Sequence, residues 1–280
     1  MKYLITGATG QVGSAAVKIL SQNEKNDVIA ISHSDFDISK RDDAINTIVA
    51  IKPDVVVNAA AMTNVDLCED EVSQAFAINA YGVRNIATGC DMVDAHLIHL
   101  STDFVFDGEI SRPYSEYDEA NPLNVYAKSK LGGDEEALKY DKGSVLRVAW
   151  VFGNPRGDFF SWVLNGVKDG SITSVIDDQF STPTFANDII PVIEKVSSLR
   201  MHGLINVANS GVASRLEMAV EFLKKMRIDN ELSGVSAQSL NRKAKRPNYS
   251  ALSTDLLYRE TNIEMRSWQE SLNEHPLIEG

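Results

Sequence analysis

Two side chains near the middle of the sequence, Tyr126 and Lys130, have the chemistry of a proton donor and its helper. They are four residues apart in a stretch with helical periodicity, so they face the same side of the helix predicted there. A phenol with its reference pKa of about 10 is a weak acid at neutral pH, and a neighbouring ammonium group lowers that pKa by favouring the phenolate. The pair therefore predicts general acid catalysis, and we expect both side chains to contact a cofactor as well.

A third candidate, Thr102, directly follows a predicted strand at residues 97–101. Its hydroxyl can donate a hydrogen bond to a substrate carbonyl oxygen and so stabilise the negative charge that develops there during reduction. Hydroxyl residues at a strand end also cap the next turn, and a supporting role of that kind is assigned to Ser101. The predicted catalytic residues are thus Thr102, Tyr126 and Lys130.

A glycine-rich motif near the N-terminus predicts a site for the phosphates of a dinucleotide. It lies directly after a predicted strand and directly before a predicted helix, which is the context in which such motifs bind nucleotides. Gly7 permits the tight turn, Gly10 lets the backbone approach the pyrophosphate, and Gly13 allows close packing of the helix. Gln11 and Val12 begin that helix, whose N-terminus is expected to face the phosphates.

The end of the second predicted strand governs the choice of cofactor, because an acidic side chain there binds the adenosine 2′-hydroxyl and disfavours a 2′-phosphate. Ser32 stands at this point, and His33 and Ser34 follow it. All three could bind a 2′-phosphate, although His33 could equally be a surface loop residue. We therefore predict NADPH as the cofactor, with NADH as the alternative.

These candidate residues fall in a regular alternation of strand-like and helix-like segments, which is typical of a parallel sheet with helices on both faces. The predicted fold class is α/β, a Rossmann-type doubly wound parallel sheet with a smaller C-terminal substrate-binding lobe. Residues 1–150 are predicted to form an NAD(P)-binding Rossmann domain, and residues 151–280 a mixed segment that completes the sheet and forms the lobe. The predicted strands are 3–6, 28–31, 55–58, 97–101, 145–149 and 204–207, and the predicted helices are 11–22, 42–51, 73–92, 126–140, 186–199 and 214–226.

Charge and composition argue against two classes of partner. The 280 residues carry a formal net charge of −12, whereas binding to nucleic acid requires clustered Lys and Arg. No run approaches the roughly 20 apolar residues of a membrane span, and the first strand starts without a preceding signal peptide, so we expect a cytoplasmic protein. Cys68, Cys90, His96 and His99 lack metal-type spacing and are predicted to be buried structural residues.

The Thr-Gly-x-x-Gly-x-x-Gly spacing of the glycine motif resembles the extended short-chain dehydrogenase/reductase superfamily, whose members bind NAD or NADP. The resemblance implies that Asp37 and Ile38, an acidic and apolar pair, lie beside the adenine. Ala59, Ala60 and Ala61 follow the third predicted strand, where small residues let the nicotinamide side of the cofactor pass close to the backbone. These alanines could equally be small only to pack the following helix.

Four further segments, at residues 101–108, 147–153, 178–184 and 246–252, narrow the resemblance. In this combination the chain resembles the dTDP-4-dehydrorhamnose reductase family, from residue 2 to about residue 252. The resemblance implies reduction of the 4-keto group of dTDP-6-deoxy-L-lyxo-4-hexulose to give dTDP-L-rhamnose, a step of nucleotide-sugar and polysaccharide biosynthesis.

The resemblance also implies a role for each matching residue. Tyr126 corresponds to the catalytic acid, and Lys130 to a contact with the cofactor ribose and the substrate. Thr102 and Asp103 correspond to a substrate-binding pair. Trp150 corresponds to a tryptophan of the sugar pocket, where its apolar face suits a 6-deoxysugar, although a tryptophan there could also serve only the core.

Other implications concern the substrate loop and assembly. Arg246, in the last of the four segments, is assigned to substrate binding, and Asn79 corresponds to an asparagine that braces the catalytic strand. A homodimer is expected, and some relatives use Mg²⁺ at a subunit interface through acidic side chains. The surplus of acidic residues here is compatible with such a metal but selects no ligands.

Two departures from the family pattern leave alternatives open. The family usually has glycine at the position of Ser181, which favours a second possibility, a different nucleotide-linked 4-keto sugar as substrate. Ser32 replaces the family's common acidic residue after the second strand, which argues against strict use of NADH. A third possibility is a non-catalytic regulatory subunit like the β subunit of methionine adenosyltransferase, and the intact catalytic residues argue against it.

Overall fold

A sheet of six parallel strands forms the centre of the fold. The computed structural model describes residues 1–33, 35–153, 157–229 and 231–279. Its strands are β1 (Lys2–Thr6), β2 (Asp27–Ile31), β3 (Val55–Asn58), β4 (His96–Thr102), β5 (Gly143–Val148), β6 (Val151–Phe152), β7 (Ser174–Ile176), β8 (Phe180–Ser181), β9 (Thr184–Phe185), β10 (Gly203–Val207), β11 (Ala213–Ser214) and β12 (Ser233–Val235). The central sheet has the order β2-β1-β3-β4-β5-β10, and every neighbouring pair in it is parallel.

Helices cover both faces of this sheet. They are α1 (Gln11–Leu20), α2 (Arg41–Ile51), α3 (Val65–Asp70), α4 (Val72–Phe76), α5 (Gly82–Val93), α6 (Val125–Leu138), α7 (Phe159–Lys168), α8 (Ala186–Leu199), α9 (Arg215–Lys225), α10 (Asp255–Thr261), α11 (Trp268–Leu272) and α12 (Pro276–Glu279). Successive residues of a strand face opposite sides. Tyr3 and Ile5 of β1 therefore pack with α1 and α8, whereas Leu4 packs with α2 and α5. The predicted α/β class with a doubly wound parallel sheet is confirmed.

The second half of the chain contributes both to the sheet and to a separate core. Strand β10 pairs with β5 at the edge of the sheet. A further hydrophobic cluster beyond the sheet is built around the buried rings of Phe152, Phe160, Phe185 and Phe222. The rings of Phe152 and Phe160 meet edge to face at 5.2 Å between centroids. The division of the chain near residue 150 into a Rossmann domain and a substrate lobe stays a prediction.

The predicted elements of the sheet agree with the structure to within about two residues at each end, with one difference on the helical side. The predicted helix at 73–92 is α4 and α5 joined by a π-helical segment, Ala77–Tyr81. The i→i+5 hydrogen bonds of a π-helix change the direction of the side chains along the helix. Short π-helical segments of this kind are frequent at functional sites. Among the described residues, no helix is long and apolar enough to cross a membrane.

Candidate functional site

The carboxyl ends of β1 and β3 meet where the strand order reverses, and ligands of doubly wound sheets bind at that point. Gly7, in the turn after β1, has a φ of +65°. A Cβ atom there would lie 2.6 Å from the backbone nitrogen of Ala60 and 2.7 Å from the carbonyl carbon of Ala59. Only glycine therefore lets the two turns approach this closely.

A cleft of about 710 Å³ opens at this reversal point. It brings together all the predicted catalytic residues and all the predicted cofactor residues except Gly13. Its lining includes Gly7, Gly10, Gln11, Val12, Ser32, His33, Asp37, Ile38, Ala59, Ala60, Ala61, Thr102, Asp103, Tyr126, Lys130 and Trp150. Gly13 instead packs beneath the turn, where a Cβ atom would lie 2.1 Å from the carbonyl oxygen of Gly7. Gly13 therefore allows α1 to pack closely against the turn, as its position in the motif predicts.

The start of α1 is suited to phosphate groups. Gly10 occupies the N-cap position and has no side chain to cover the first amide groups of the helix. The Oε1 atom of Gln11 is buried and has no hydrogen-bond partner among the residues that the structure describes. A buried amide oxygen without a partner is costly, so a polar group of a bound ligand would stabilise it. These residues fit a dinucleotide.

The loop after β2 is shaped by an acidic residue that the sequence interpretation did not use. The Asp35 carboxylate accepts hydrogen bonds from both the backbone nitrogen and the hydroxyl of Ser32, each at 2.7 Å. His33 lines the cleft. Ser34, the third predicted 2′-phosphate contact, lies outside the described residues. The Asp37 carboxylate accepts hydrogen bonds from the backbone and hydroxyl of Ser39 and so organises the turn that leads into α2.

Thr102 and Tyr126 come together at the end of β4. The Tyr126 hydroxyl is hydrogen-bonded to Thr102, and its ring meets that of Phe104 edge to face at 6.1 Å. Burial raises the pKa of Tyr126 above its ordinary value, and the bond to Thr102 opposes that rise only in part. This direction is the reverse of the one expected from a neighbouring ammonium group, because Lys130 points its ammonium group elsewhere.

The Lys130 ammonium group donates a hydrogen bond to the carbonyl oxygen of Leu100 at 2.6 Å and lies 3.2 Å from Nε2 of His99. Burial, opposed by the charge of Asp134, lowers the pKa of Lys130 to about 8. His99 is also fully buried, and desolvation together with Lys130 lowers its pKa well below the ordinary range. The Asn58 amide contacts the other ring nitrogen of His99 at 3.0 Å. His99 is thus a buried, hydrogen-bonded histidine, as predicted, and it also holds the predicted catalytic lysine.

Asp103 lies in a buried cluster of hydroxyl groups. One carboxylate oxygen accepts a hydrogen bond from Thr102 at 3.2 Å, and the other accepts from Ser181 at 3.0 Å and from Ser250. Burial raises the pKa of Asp103 to about 6, although these three hydroxyls and the positive charge of Arg215 lower it. Ser181, which stands where the family usually has glycine, therefore donates a hydrogen bond to Asp103 of the predicted substrate-binding pair.

A second cavity, of about 460 Å³, adjoins the first, and Trp150 lines both. Trp150 has a φ of +42°, a left-handed conformation that costs a bulky residue about 1–3 kcal/mol. The Arg215 guanidinium covers its ring at 3.7 Å from the centroid and lies 5.0 Å from the ring of Phe159. The cavity thus combines aromatic faces with positive charge. Its lining also includes Phe104, Trp162, Gln179, Arg242 and Arg246.

Arg246 lines this second cavity but is already paired. Its guanidinium donates to both carboxylate oxygens of Asp66, at 2.7 and 3.1 Å, and this pairing lowers the pKa of Asp66 to about 2. The backbone of Ala244 also donates to Asp66, at 2.8 Å. Asp66 belongs to α3, so these bonds fasten the loop that carries Ala244 and Arg246 across the cavity to the first half of the chain.

Asn79 braces a loop and a helix, and its contact is not with β4. Its side chain exchanges two hydrogen bonds with the backbone of Met62, at 2.8 and 3.0 Å, and donates to the hydroxyl of Ser129 at 2.9 Å. Ser129 lies between Tyr126 and Lys130 on α6. The π-helical segment thereby ties the loop after β3 to the helix that carries the predicted acid.

Several site residues were missed by sequence interpretation, notably Arg215, Phe159, Trp162 and Ser250. Arg215 has no local motif, because its partners Trp150 and Asp103 are far away in the chain. The amphipathic pattern of α7 could have indicated Phe159 and Trp162, since aromatic residues crowd its start. Among the described residues, no group of three or more His, Cys, Asp or Glu side chains could hold a metal ion, so these residues offer no ligand set for the Mg²⁺ that the resemblance allows.

Comparison with known proteins identifies the relatives of the chain. A dTDP-4-dehydrorhamnose reductase of Mycobacterium tuberculosis (strain ATCC 25618 / H37Rv) is 35% identical over 279 residues, which span 97% of this chain and 91% of the relative. The crystal structure of a dTDP-4-dehydrorhamnose reductase from Clostridium acetobutylicum ATCC 824 covers 100% of both chains with a TM-score of 0.94 and 34% identity. That of Bacillus anthracis str. Ames, in complex with NADP, has a TM-score of 0.93 and 29% identity, and it covers 100% of this chain and 99% of its own.

These comparisons confirm the predicted resemblance to dTDP-4-dehydrorhamnose reductases. The model of the family described as "RmlD substrate binding domain" matches residues 1–276. Because that match spans nearly the whole chain, the protein belongs to the RmlD substrate binding domain family.

Proposed function

We propose that the protein is an oxidoreductase that uses NAD(P)H to reduce the 4-keto group of a dTDP-linked 6-deoxyhexulose, giving dTDP-L-rhamnose. One observation carries the proposal: the nucleotide cleft and the aromatic, positively charged cavity meet at Trp150. A proton donor and a hydroxyl donor, Tyr126 and Thr102, line the cleft at that junction. A carbonyl held there has a proton source on one side and a cofactor site on the other.

The cofactor, when bound, supplies a hydride to the carbonyl carbon. The turn at Gly7, the start of α1 at Gln11 and Val12, and the alanines after β3 hold its phosphates and ribose. Lys130 turns its ammonium group from the Leu100 carbonyl to the ribose hydroxyls, a movement within reach of its long side chain. Ser32 and His33 are proposed to bind the adenosine 2′-phosphate of NADPH. The Asp35 carboxylate, which holds the Ser32 hydroxyl, opposes that anion, so NADH stays the alternative cofactor.

The residues of the chain do the rest of the chemistry by hydrogen bonding and proton transfer. Thr102 donates a hydrogen bond to the C4 oxygen, where negative charge grows as the carbonyl is reduced. Tyr126 then gives its phenolic proton to that oxygen. Burial favours the neutral phenol, since it raises the pKa of Tyr126, so the proton is present on the acid at neutral pH.

The second cavity is proposed to hold the rest of the substrate. The aromatic face of Trp150 supports the apolar face and the 6-methyl group of the sugar. Arg215 and Arg242 supply positive charge for the diphosphate, and Phe159 and Trp162 supply rings for the base. Arg246 is proposed to shape the wall of the cavity rather than to bind the diphosphate, because Asp66 already holds its guanidinium.

Direct assay of the purified protein tests the proposal. We expect loss of the reduced-nicotinamide absorbance when NADPH and dTDP-6-deoxy-L-lyxo-4-hexulose are both present, with a slower rate for NADH. Turnover only with another nucleotide-linked 4-keto sugar would reassign the substrate. If neither cofactor is oxidised with any such sugar, the reductase proposal is wrong. Co-purification of a stoichiometric methionine adenosyltransferase would then support a regulatory subunit.

Assembly is proposed on the family resemblance, and location and partners are proposed on the charge and composition of the sequence. We propose a homodimer in the cytoplasm that acts on a nucleotide sugar and binds neither nucleic acid nor membranes. Light scattering of the purified protein measures its mass, and a value near 30.8 kDa would contradict the dimer. Repeating the measurement with a chelator shows whether any dimer depends on Mg²⁺.

A further inference from the structure

The hydroxyl of the proposed acid is the first member of a buried hydrogen-bonded chain. Tyr126 is hydrogen-bonded to Thr102, and the Thr102 hydroxyl donates to the Asp103 carboxylate at 3.2 Å. The backbone nitrogen of Phe104 donates to the Thr102 oxygen at 3.2 Å, which holds that oxygen in place. Thr102 and Asp103 are 6% and 2% exposed, so bulk water does not compete inside the chain of bonds.

Two serines hold the far end of this chain. Ser181 and Ser250 are almost fully buried, at 0% and 1% exposure, and both donate to the same oxygen of Asp103. Their own hydroxyl oxygens are 3.1 Å apart. Three segments that are distant in sequence take part: the end of β4, strand β8 and the loop that carries Ser250. Their convergence on one carboxyl group is therefore built by the fold.

Each reduction leaves the acid without its proton. The phenolate that remains is buried, and a buried phenolate is unfavourable until it is protonated again. Tyr126 hydrogen-bonds Thr102, and Thr102 hydrogen-bonds Asp103. When Asp103 is protonated, its O–H donates to the Thr102 oxygen and the Thr102 hydroxyl turns to the phenolate. A proton can then move from Asp103 to the Thr102 oxygen while Thr102 passes its own proton to the phenolate.

This inference rests on the proposed function. We propose that Asp103 is the proton reserve of the site, and that its carboxyl group returns a proton through the Thr102 hydroxyl to the Tyr126 phenolate after each reduction. The step breaks one O–H bond at Asp103 and one at Thr102 and forms one at Thr102 and one at Tyr126, with no net change in redox state. Asp103 lines the cleft and takes up the next proton from solvent there.

The charges around Asp103 suit this role. Arg215, at the start of α9, is the cation that faces it, and burial, with a smaller contribution from the charge of Arg242, lowers the pKa of Arg215. Tyr126 is the titratable group on the α6 side. Burial raises the pKa of Asp103 to about 6, so both protonation states are accessible near neutral pH. The Ser181 and Ser250 hydroxyls stabilise the carboxylate that the transfer leaves behind.

The first test separates the first turnover from later ones with Asp103→Asn, which keeps the shape of the side chain but carries no transferable proton. In a rapid-mixing experiment with NADPH and the keto-sugar nucleotide, we expect a first phase in which one NADPH per site is oxidised, and the rate of this phase serves as the internal reference for each protein. The ratio of the steady-state rate to the first-phase rate should be at least tenfold lower in the variant than in the wild type, because the phenolate must then take its proton from solvent. Added formate should restore part of that rate. A first turnover that slows as much as the later ones would overturn the relay, as would an unchanged steady-state rate.

The second test concerns the serines, with Ser181→Ala and Ser250→Ala as variants and Ser197→Ala as the control. Ser197 is an equally buried serine whose hydroxyl bonds only within α8 and to Tyr3, far from the cleft. Removing one donor from the carboxylate should raise the apparent pKa of the basic limb of kcat by about one unit. The control should leave that limb unchanged. A loss of thermal stability without a shift of the limb would mean that the serines only pack, and that part of the proposal is wrong.

A third measurement does not depend on turnover. The infrared band of the protonated Asp103 carboxyl group, identified as the band missing from Asp103→Asn, is followed as the pH is varied. We expect its midpoint near pH 6 in the wild type and higher in Ser181→Ala. If the wild type fails to oxidise NADPH with any keto sugar, the proposed function fails while this titration still tests the reserve. Absence of a protonated Asp103 band between about pH 5 and pH 8 would overturn the relay whatever the substrate is.

Discussion

Substitution of Gly7 by alanine should weaken the binding of NADPH far more than it weakens the fold. The new Cβ atom would stand 2.6 Å from the nitrogen of Ala60, and ordinary contact begins at 3.4 Å. The turns after β1 and β3 must therefore separate by about 0.8 Å. Displacements of about 1 Å in a binding site cost up to about 100-fold, so we expect the Kd for NADPH to rise by about 10- to 100-fold. That range corresponds to about 1.4–2.8 kcal/mol.

Gly170→Ala is the matched control for this substitution. Gly170 has a φ of +74°, close to the +65° of Gly7, but nothing lies within 4 Å of its hypothetical Cβ atom. It therefore carries only the left-handed strain, about 1–2 kcal/mol of folding free energy, and leaves the cleft untouched. Titration of NADPH fluorescence measures Kd, and thermal unfolding measures the strain.

The two variants together test the argument. Both should unfold at lower temperature than the wild type, and only Gly7→Ala should lose affinity for NADPH. Equal NADPH affinities for Gly7→Ala and the wild type would refute the close approach of the two turns. Equal losses in both variants would mean that general destabilisation, rather than local displacement, weakens binding.

Three further predictions concern the side chains of the site. Tyr126→Phe should lower kcat by about 10²- to 10⁴-fold with little change in the Kd for NADPH, and comparable losses in both would argue against a role in proton transfer. Asp66→Asn should raise KM for the nucleotide sugar by about 3- to 10-fold at constant kcat, because Arg246 loses a charged hydrogen-bond partner, and steady-state kinetics measure the change. Burial, opposed by Asp134, lowers the pKa of Lys130 to about 8, so the affinity for NADPH should be constant below about pH 7 and fall as the pH rises above 8. Lys130→Met should bind more weakly and show no such fall, and a pH-dependent loss that persists in this variant would assign the titration to another group.

The nucleotide end of the cleft could be predicted from sequence because its determinants are local. Gly7, Gly10 and Gly13 act within a single strand, turn and helix, and each spacing has one geometric meaning. The alternating segments likewise predicted the sheet, since buried parallel strands are continuous apolar runs. What the local pattern could not supply was the contact between Gly7 and the turn at Ala59, which arises only when β3 pairs beside β1.

The substrate end was less predictable because its residues converge from distant segments. Ser181 was noticed only as a departure from a family pattern, and its contact with Asp103 joins positions 78 residues apart. Ser250 lies in the segment 246–252 that carries the resemblance but was assigned no role, and Arg215 gave no signal, since an arginine at a helix start is ordinary. The π-helical segment at Asn79 also has no sequence period that separates it from an α-helix.

The pKa of Tyr126 was expected to be lowered by Lys130, but burial raises it. Spacing on a helix fixes which side chains share a face, but it does not fix where a long side chain directs its charge. Lys130 directs its ammonium group to the Leu100 carbonyl and to His99, so desolvation decides the pKa of the phenol.

The proposed acid lies between two compensated sets of buried charge, which the spacing of Tyr126 and Lys130 does not reveal by itself. On the core side, Asp134 of α6 pairs with Arg147 of β5 at 3.1 Å, and both side chains are at most 5% exposed. On the substrate side, Asp103 faces Arg215. Loss of one member of a buried pair leaves an uncompensated charge and costs about 3–5 kcal/mol, so each set requires its partner from another element. The chemistry of Tyr126 therefore depends on β5 and α9 as much as on its own helix.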